Sequence, residues 1–297
     1  MTRVESGGVV AKRDKKYPVL LGGIKDAPEQ LYYRGSWNSD IFKNCLAVVG
    51  TRRMTSYGRR VTDQIVGEVA SRGITIVSGF MYGIDAQAHR AAIEAGGKTI
   101  AVMPCGIDLV HPAHQTDLHE DITDSGGLIV SEYQSTHPAA IWTFSRRNRI
   151  VAGLSQTILV VEAGEGSGAL ITANFAKKYG RKIMVIPNSI VSPVSRGVTQ
   201  LLREGAAPVE CAGDVLQHYG IIGFKREQKK PPIEEILEEV EGEVEKNIVR
   251  QLEKEAMEVD ELARVLGINA SDLGSALSLL QLGGYIREEQ GMFYLCS

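Results

Sequence analysis

The amino-acid sequence predicts an α/β protein in which an open, doubly wound and mainly parallel sheet is followed by a small C-terminal winged-helix domain. Three observations lead to this prediction. Short apolar runs recur along most of the chain, each run is followed by a glycine-containing turn and a stretch of helical spacing, and the composition changes near residue 225. The 297 residues suffice for one large core and one small one.

Six short β-branched runs are the predicted strands. Each is mostly apolar on both faces, as expected for strands of a parallel sheet that helices cover on both sides. Their spacing of about 25–30 residues is typical of βαβ units. The runs are Leu46–Gly50, Ile74–Ser78, Thr99–Met103, Leu128–Ser131, Thr157–Val161 and Lys182–Ile186.

The segments between these runs have the apolar spacing of helices that pack on one face. Val61, Ile65, Val66 and Val69 follow the first run at helical intervals, and Gly73 ends the pattern. Alternation of strand and helix of this kind predicts an open α/β domain.

The last quarter of the chain has a different pattern. Phe224–Glu245 contains a Pro-Pro pair and a dense acidic run, which predicts a linker with a solvated helix. Three short helical patterns and a hairpin follow, and together they predict a winged helix. We therefore expect an N-terminal tail over residues 1–16, the α/β domain over 17–224, a charged linker over 225–245 and the winged helix over 246–297.

The net charge of −3 conceals an uneven distribution. Residues 225–297 contain 9 Lys and Arg against 16 Asp and Glu, a net charge of −7. The first 224 residues contain the remaining 24 basic and 20 acidic side chains, a net charge of +4. The α/β domain is therefore the part expected to attract an anionic partner such as nucleic acid.

Cysteine usage and hydropathy favour a cytoplasmic protein with no membrane segment. The four cysteines are scattered without a CxxC pair, as in chains with reduced thiols and no zinc site. No apolar run approaches the length of a membrane span. Nucleophile-elbow, metalloprotease, Walker A and regular dinucleotide motifs are all missing from the sequence, so we expect no catalytic residues, no cofactor and no metal.

Glycine-rich turns follow several of the predicted strands. The carboxyl ends of parallel strands share one edge of the sheet, where ligands bind in such folds. Gly50-Thr51-Arg52, Ser78-Gly79 and Gly164–Gly168 would therefore lie along one rim. Glycine allows backbone N–H groups to approach a phosphate, and the start of the next helix favours an anion. Each turn could also be a simple strand-to-helix connection, but several at one edge predict a phosphate-binding rim.

The segment Trp142–Ile150 is the most informative one. It places Arg146, Arg147, Asn148 and Arg149 directly after two aromatic residues, Trp142 and Phe144. Cations that neutralise phosphates beside rings that stack on bases are what single-stranded nucleic acid requires. The alternative is a helix whose arginines pair with surface acids and whose aromatic residues lie in the core.

Together these segments resemble the DNA-processing protein A family, also called DprA or Smf. The matching strings are VVGTRRMTSYGRR from Val48, IVSGFMYGIDAQAH from Ile76, SEY from Ser131, FSRRNRIVAGLS from Phe144 and VVEAGEGSGALITANFAKKYGR from Val160. The resemblance extends from Tyr17 to about Val209, and it is the ordered series of motifs that is specific. Tyr82 is a departure, because relatives usually have Arg or Lys before Gly-Ile-Asp.

The resemblance implies an extended Rossmann-like fold that dimerises, binds single-stranded DNA and loads the RecA recombinase during natural transformation. Carried over by motif, it implies three roles for the predicted residues. Backbone donors and phosphate contacts would come from Gly50, Thr51, Arg52, Ser78, Gly79, Ser167 and Gly168. Phe144 would stack on a base, while Arg147, Asn148 and Arg149 would line the groove and Arg146 would add a charge. Binding would be tolerant of sequence and would weaken steeply with salt.

Two further expectations concern the winged helix and a rival function. The predicted recognition helix, Ala270–Gly284, contains Asp272 and no Lys or Arg, so we expect the winged helix to contact protein rather than DNA. The rival function is a nucleotide-processing enzyme resembling the lysine-decarboxylase-like phosphoribohydrolases. In those enzymes a glutamate follows the glycine loop, whereas here Ala169–Gly180 contains no acid.

Overall fold

The computed structural model describes residues 7–221, 233–240, 242–289 and 291–295. The chain divides into two compact units between Lys225 and Arg226. Among the described residues, no helix is long and apolar enough to cross a membrane.

The N-terminal unit contains a nine-stranded sheet and eight helices in its described part. The strands are β1 Gly7–Ala11, β2 Gln30–Gly35, β3 Cys45–Val49, β4 Thr75–Ser78, β5 Thr99–Val102, β6 Leu128–Ser131, β7 Thr157–Val160, β8 Lys182–Val185 and β9 Ala207–Pro208. The helices are α1 Val19–Gly22, α2 Ser56–Ser71, α3 Ile84–Glu94, α4 Thr116–Asp124, α5 Ile141–Leu154, α6 Gly168–Lys178, α7 Arg196–Arg203 and α8 Ala212–His218. Short 3₁₀ turns occupy Ser39–Phe42 and Ala113–Gln115.

The sheet confirms the predicted fold class. Its strand order is β1-β2-β6-β5-β4-β3-β7-β8-β9. The seven strands from β6 to β9 in this order pair in parallel, and β1 and β2 add an antiparallel edge. Each of the six predicted runs coincides with an observed strand, and no strand end lies more than one residue from its predicted position. The direction of winding reverses between β3 and β7, so these two neighbours mark the topological switch point.

Helices cover both faces of the sheet, which is why its central strands are apolar throughout. All five residues of β3 are buried. Alternate residues face opposite sides, so Ala47 packs in the core beneath α5, α6 and α7, whereas Val48 packs beneath α2, α3 and α8. A strand buried on both faces has no polar side, and this explains why periodicity alone revealed no exposed face.

Part of the expected N-terminal tail over residues 1–16 forms a strand. Residues 7–11 form strand β1, which pairs with β2 at the antiparallel edge. Strand β1 lacks the apolar run of a central strand, because it is a short edge strand of sequence GGVVA with three exposed residues. Strand β2 is only partly buried, so it lacks such a run as well. Residues 1–6 lie outside the described part of the chain.

The C-terminal unit has the predicted winged-helix architecture. Helices α10 Glu243–Lys254, α11 Val259–Leu266 and α12 Ala270–Leu282 pack around a core of their own, and strands β10 Met257–Glu258, β11 Ile286–Glu289 and β12 Met292–Leu295 form an antiparallel sheet.

Part of the predicted linker belongs to this unit. Helix α9, Ile233–Glu239, buries Ile236 in the same core, with Val240 directly after it. The helix expected in the acidic run is therefore present, but it is packed on the core through Ile236 and is not fully solvated. The linker residues 225–232 lie outside the described ranges.

Candidate nucleic-acid interface

A cavity of about 570 Å³ opens at the topological switch point of the sheet. Residues after the carboxyl ends of β3, β4 and β7 form three of its sides, and helix α5 forms the fourth. Crevices of this kind are where doubly wound α/β proteins bind their ligands. Because the three loops come from separate parts of the sequence, it is the strand order that brings them together.

The first loop, after β3, presents an exposed arginine against an aromatic ring. The backbone N–H of Thr51 donates to the carbonyl of Glu162 at 2.8 Å, which ties this loop to the end of β7. The Arg52 guanidinium carbon lies 5.4 Å from the centre of the Phe144 ring. Arg52 is exposed, so it holds a cation–π position at the mouth of the cavity while its donors remain open to an anion.

The carboxylate of Glu162 binds the end of this loop, where α2 begins. It is fully buried and accepts hydrogen bonds from the Thr55 hydroxyl at 2.5 Å and the Thr55 N–H at 3.0 Å. Thr55 is the N-cap of α2, and its hydroxyl also accepts from the N–H of Gly58. Both carboxylate oxygens are therefore engaged in holding the start of α2, as an N-cap network does.

The loop after β4 is held beneath the cavity by close packing. Ser78 is fully buried, and its hydroxyl donates to the carbonyl of Val48 at 2.6 Å. Gly79 has no room for a side chain, because a Cβ there would lie 2.5 Å from Arg147 Nη1 and 2.5 Å from Asp85 Oδ2. Phe80 follows with a φ of 57°, a strained value that its fully buried ring fixes in place.

Helix α5 divides the predicted arginine cluster between its two sides. Residues three and four apart share a helix face, so Phe144, Arg147 and Asn148 lie together and line the cavity. Arg146 and Arg149, also three apart, lie on another face and border a separate cavity. Of the three arginines of this helix, only Arg147 lines the switch-point cavity.

Arg147 is a buried anchor, although it belongs to the cavity wall. Its side chain is 2% exposed and donates from Nη1 to the carbonyls of Gly79 and Val102. Burial lowers the pKa of Arg147 to about 10, which leaves the guanidinium charged at neutral pH. The nearby Asp85 is also buried, and desolvation raises its pKa to about 6 although the charge of Arg147 opposes that rise. The hydrogen bonds of Arg147 join α5 to the ends of β4 and β5.

Arg146 and Arg149 form ion pairs outside the switch-point cavity. Arg149 Nη2 lies 2.6 Å from one oxygen of Glu132, and Arg146 Nε lies 3.3 Å from the other. The side chains of Arg149 and Glu132 are both 6% exposed, whereas that of Arg146 is 56% exposed. Arg146 and Arg149 therefore fit the alternative interpretation, in which the arginines of this helix pair with acidic side chains.

The loop after β7 supplies the start of α6. Ser167 is the N-cap of this helix and its hydroxyl accepts from the Ala169 N–H at 3.4 Å. Across the cavity, Asn148 Nδ2 donates to the carbonyl of Gly168 at 3.3 Å. This bond connects α5 to α6 over the switch point, and it leaves the N-terminal turn of α6 facing the cavity, where an anion is favoured.

Nine of the twelve predicted site residues line the switch-point cavity. They are Gly50, Thr51, Arg52, Gly79, Phe144, Arg147, Asn148, Ser167 and Gly168. Ser78, Arg146 and Arg149 do not line it. Sequence reasoning missed Asp85 and Ile141 as lining residues. The spacing of Ile141, Phe144 and Asn148 along one helix face was the available signal for Ile141.

In its described part, the wall combines an exposed cation, the N-terminal turn of α6 and a partly exposed aromatic ring. Phosphate oxygens fit the first two features and a nucleobase fits the third. The described residues contain no cluster of three or more His, Cys, Asp or Glu side chains that could hold a metal ion.

Comparison with protein families identifies the family of this chain. Residues 8–220 match the family model for DNA recombination-mediator protein A. The chain belongs to this family. Residues 229–292 separately match the DprA winged helix domain. The recombination-mediator match covers every loop of the switch-point cavity.

Individual relatives support the same assignment. Protein Smf of Synechocystis is 33% identical in an alignment that covers 95% of this chain and 78% of that protein. The crystal structure of DprA from Streptococcus pneumoniae is 37% identical with a TM-score of 0.67, and the match covers 73% of this chain and 75% of that one. A DNA processing protein A structure from Helicobacter pylori, described for its single-stranded DNA binding mode, is 27% identical with a TM-score of 0.63, covering 73% of this chain and 96% of that one.

Proposed function

We propose that this protein is a single-stranded DNA-binding recombination mediator that binds the strand at the switch-point cavity. One observation carries the proposal. The exposed Arg52 guanidinium lies 5.4 Å from the centre of the Phe144 ring, at the mouth of a cavity bordered by glycine turns and a helix N-terminus. A phosphate beside a stacked base has this arrangement of charge and aromatic surface.

The contacts explain why binding would tolerate any sequence. Arg52 and the backbone N–H groups would bind phosphate oxygens, which are the same at every nucleotide. Phe144 would stack on a base face, which every base has. A duplex keeps its base faces inside its own stack, so the same cavity would discriminate against double-stranded DNA.

Fluorescence anisotropy with labelled oligonucleotides over a salt series tests the proposal. Arg52→Ala removes one charged hydrogen bond, so we expect it to weaken binding by about 1.5–3 kcal/mol, or roughly 10- to 150-fold. Phe144→Ala should cost about 1–3 kcal/mol if one base stacks there. Arg203→Ala is the matched control, because Arg203 is an exposed arginine of the same unit that does not line the cavity. Unchanged affinity in both site variants would remove the cavity as the binding site.

The rival function, a phosphoribohydrolase-like enzyme, is disfavoured by the state of its acidic candidates. Both oxygens of Glu162 accept hydrogen bonds that hold the start of α2. Glu165 lines the cavity, but its carboxylate is 82% exposed and lies 3.4 Å from Arg196. Release of a free base from nucleoside monophosphates by the protein, without DNA binding, would support the enzyme instead.

RecA loading, dimerisation and a cytoplasmic location are the finer parts of the proposal. They rest on family membership, and the free thiols of Cys45, Cys105 and Cys211 fit a reducing compartment. Loading predicts that the protein accelerates RecA filament growth on DNA coated with single-strand binding protein. Analytical ultracentrifugation tests the dimer.

We also propose that the winged helix binds a protein partner. Its helix α12 contains no Lys or Arg and exposes two leucines, Leu279 at 60% and Leu282 at 86%. Exposed apolar side chains favour a protein surface, and a recognition helix without cations lacks the main driving force for duplex binding.

A further inference from the structure

We propose that the ring of Tyr82 is a second base-stacking subsite for the strand bound at the switch-point cavity. This inference rests on the proposed function and extends it, because Tyr82 does not line the cavity. The occupant is the base of a nucleotide that lies beyond Arg52 on the same single strand.

Tyr82 has the geometry of a prepared stacking surface. Its ring lies parallel to that of His114, with the centroids 5.1 Å apart and the planes inclined by 5°. The tyrosine is nevertheless 41% exposed. His114 therefore holds the orientation of one ring face while part of the ring remains open to solvent, and a flat, oriented aromatic ring is what an unpaired base stacks on.

The residues on either side of Tyr82 place it beside the Arg52 loop. Met81, directly before it, lines the cavity. Gly83, directly after it, has a φ of 72°, and a Cβ there would lie 2.3 Å from the carbonyl oxygen of Thr51. The backbone N–H of Ile84 donates to that same carbonyl at 3.2 Å. The chain that carries Tyr82 is therefore packed against the turn that presents Arg52.

One short segment supports both aromatic surfaces. His111 packs against Phe144, with ring centroids 5.6 Å apart, and His114 packs against Tyr82. Three residues of chain extend at most about 10 Å, so the two supporting histidines are close together. Arg52 contacts the ring of Phe144 at the same place. The Arg52 cation lies over one of these rings, and its backbone lies against Gly83 beside the other. Proteins bind single strands with such combinations of cations and stacking rings.

A length series of oligothymidylates tests the subsite by anisotropy with the full chain. If a strand must pass the cavity to reach Tyr82, Tyr82→Ala should leave the shortest strands unaffected and weaken binding of longer ones. The expected loss is about 5- to 150-fold, the equivalent of 1–3 kcal/mol for one stacked base. Tyr82→Phe should bind as the wild type does, because the stacking face is retained. Tyr57→Ala, a change at another exposed tyrosine outside the cavity, is the matched control.

An abasic scan separates stacking from a structural role. In a long strand, one abasic position should weaken wild-type binding by about as much as Tyr82→Ala does, and that penalty should vanish in the variant. An equal loss at every strand length, or an abasic penalty that persists in the variant, overturns the subsite. Wild-type affinity of Tyr82→Ala for long strands, with Arg52→Ala still weakened, overturns the subsite and leaves the proposed function. Failure of the wild type to bind any single strand overturns both.

Discussion

Replacing Arg147 with methionine should destabilise the N-terminal unit rather than remove a DNA contact. The arginine is 2% exposed, and it donates to the carbonyls of Gly79 and Val102 beside the buried carboxylate of Asp85. Methionine leaves that carboxylate without its counter-charge. Leaving a buried charge uncompensated costs about 3–5 kcal/mol. A unit of this size loses about 2–4 °C in Tm for each kcal/mol, so the expected fall is roughly 6–20 °C.

Urea unfolding followed by tryptophan fluorescence measures this loss. The two tryptophans of the chain, Trp37 and Trp142, both lie in the N-terminal unit, so the signal reports its unfolding alone. Arg146→Met is the matched control on the same helix. Its side chain is 56% exposed, so its ion pair should be worth about 1 kcal/mol or less.

A double-mutant cycle with Asp85→Asn tests the cause. If the loss comes from an uncompensated charge, the double variant should be more stable than the sum of the two single changes predicts. The reasoning is refuted if Arg147→Met unfolds at the wild-type urea concentration while its DNA affinity loses salt dependence as that of Arg52→Ala does. That result would mean that the guanidinium reaches a phosphate.

Three further predictions concern other parts of the chain. Gly79→Ala should cost about 1–3 kcal/mol from overpacking, whereas Gly168→Ala, where a Cβ meets nothing within 4 Å, should leave the urea midpoint unchanged. Burial lowers the pKa of His89 from 6.5 to about 3. Between these pH values the unfolded chain binds a proton that the folded chain does not, so the free energy of unfolding falls as the pH falls. His89→Gln should remove this dependence, which amounts to about 2 kcal/mol of unfolding free energy between pH 7 and 5. Asp85 acts in the opposite sense, since its raised pKa of about 6 favours the folded state as the pH falls below 6. The isolated C-terminal unit, residues 226–297, should show no strong duplex binding at physiological salt, and tight binding there would contradict the assignment of α12 to a protein partner.

The central strands could be predicted because burial on both faces leaves a plain apolar run. The antiparallel strands β1 and β2 could not, because β1 is a mostly exposed edge strand and β2 is only partly buried, so neither forms a plain apolar run. A helix was expected in the acidic run that contains α9, but the acidic composition predicted a solvated helix, whereas Ile236 lies in the core.

The candidate site was predictable in its loops and only partly in its helix. The rule that ligands bind at the carboxyl edge of a parallel sheet placed the turns at Gly50, Gly79 and Ser167 correctly at one cavity. The arginines of α5 were treated as one cluster, although residues 146 and 149 share a face that residue 147 does not. Helical periodicity alone could have separated them. The burial of Arg147 and its proximity to Asp85 depend on how α3 and α5 pack, which a local sequence pattern does not contain.

The placement of Arg146 and Arg149 outside the switch-point cavity changes how DNA binding should depend on salt. The first 224 residues have a net charge of +4, yet in the described wall of the cavity the cations are Arg52 and the buried Arg147, whose charge is opposed by Asp85. Each phosphate neutralised on a single strand contributes about 0.7 to the slope of log affinity against log salt. Arg52 alone therefore predicts a slope near −0.7, shallower than the net charge indicates, and Arg52→Ala should abolish most of it. Stacking and backbone N–H groups would supply the remaining affinity without a large salt term. A slope of about −3 or steeper that persists in Arg52→Ala would mean that the strand follows cations outside this cavity, and the path proposed here would then be wrong.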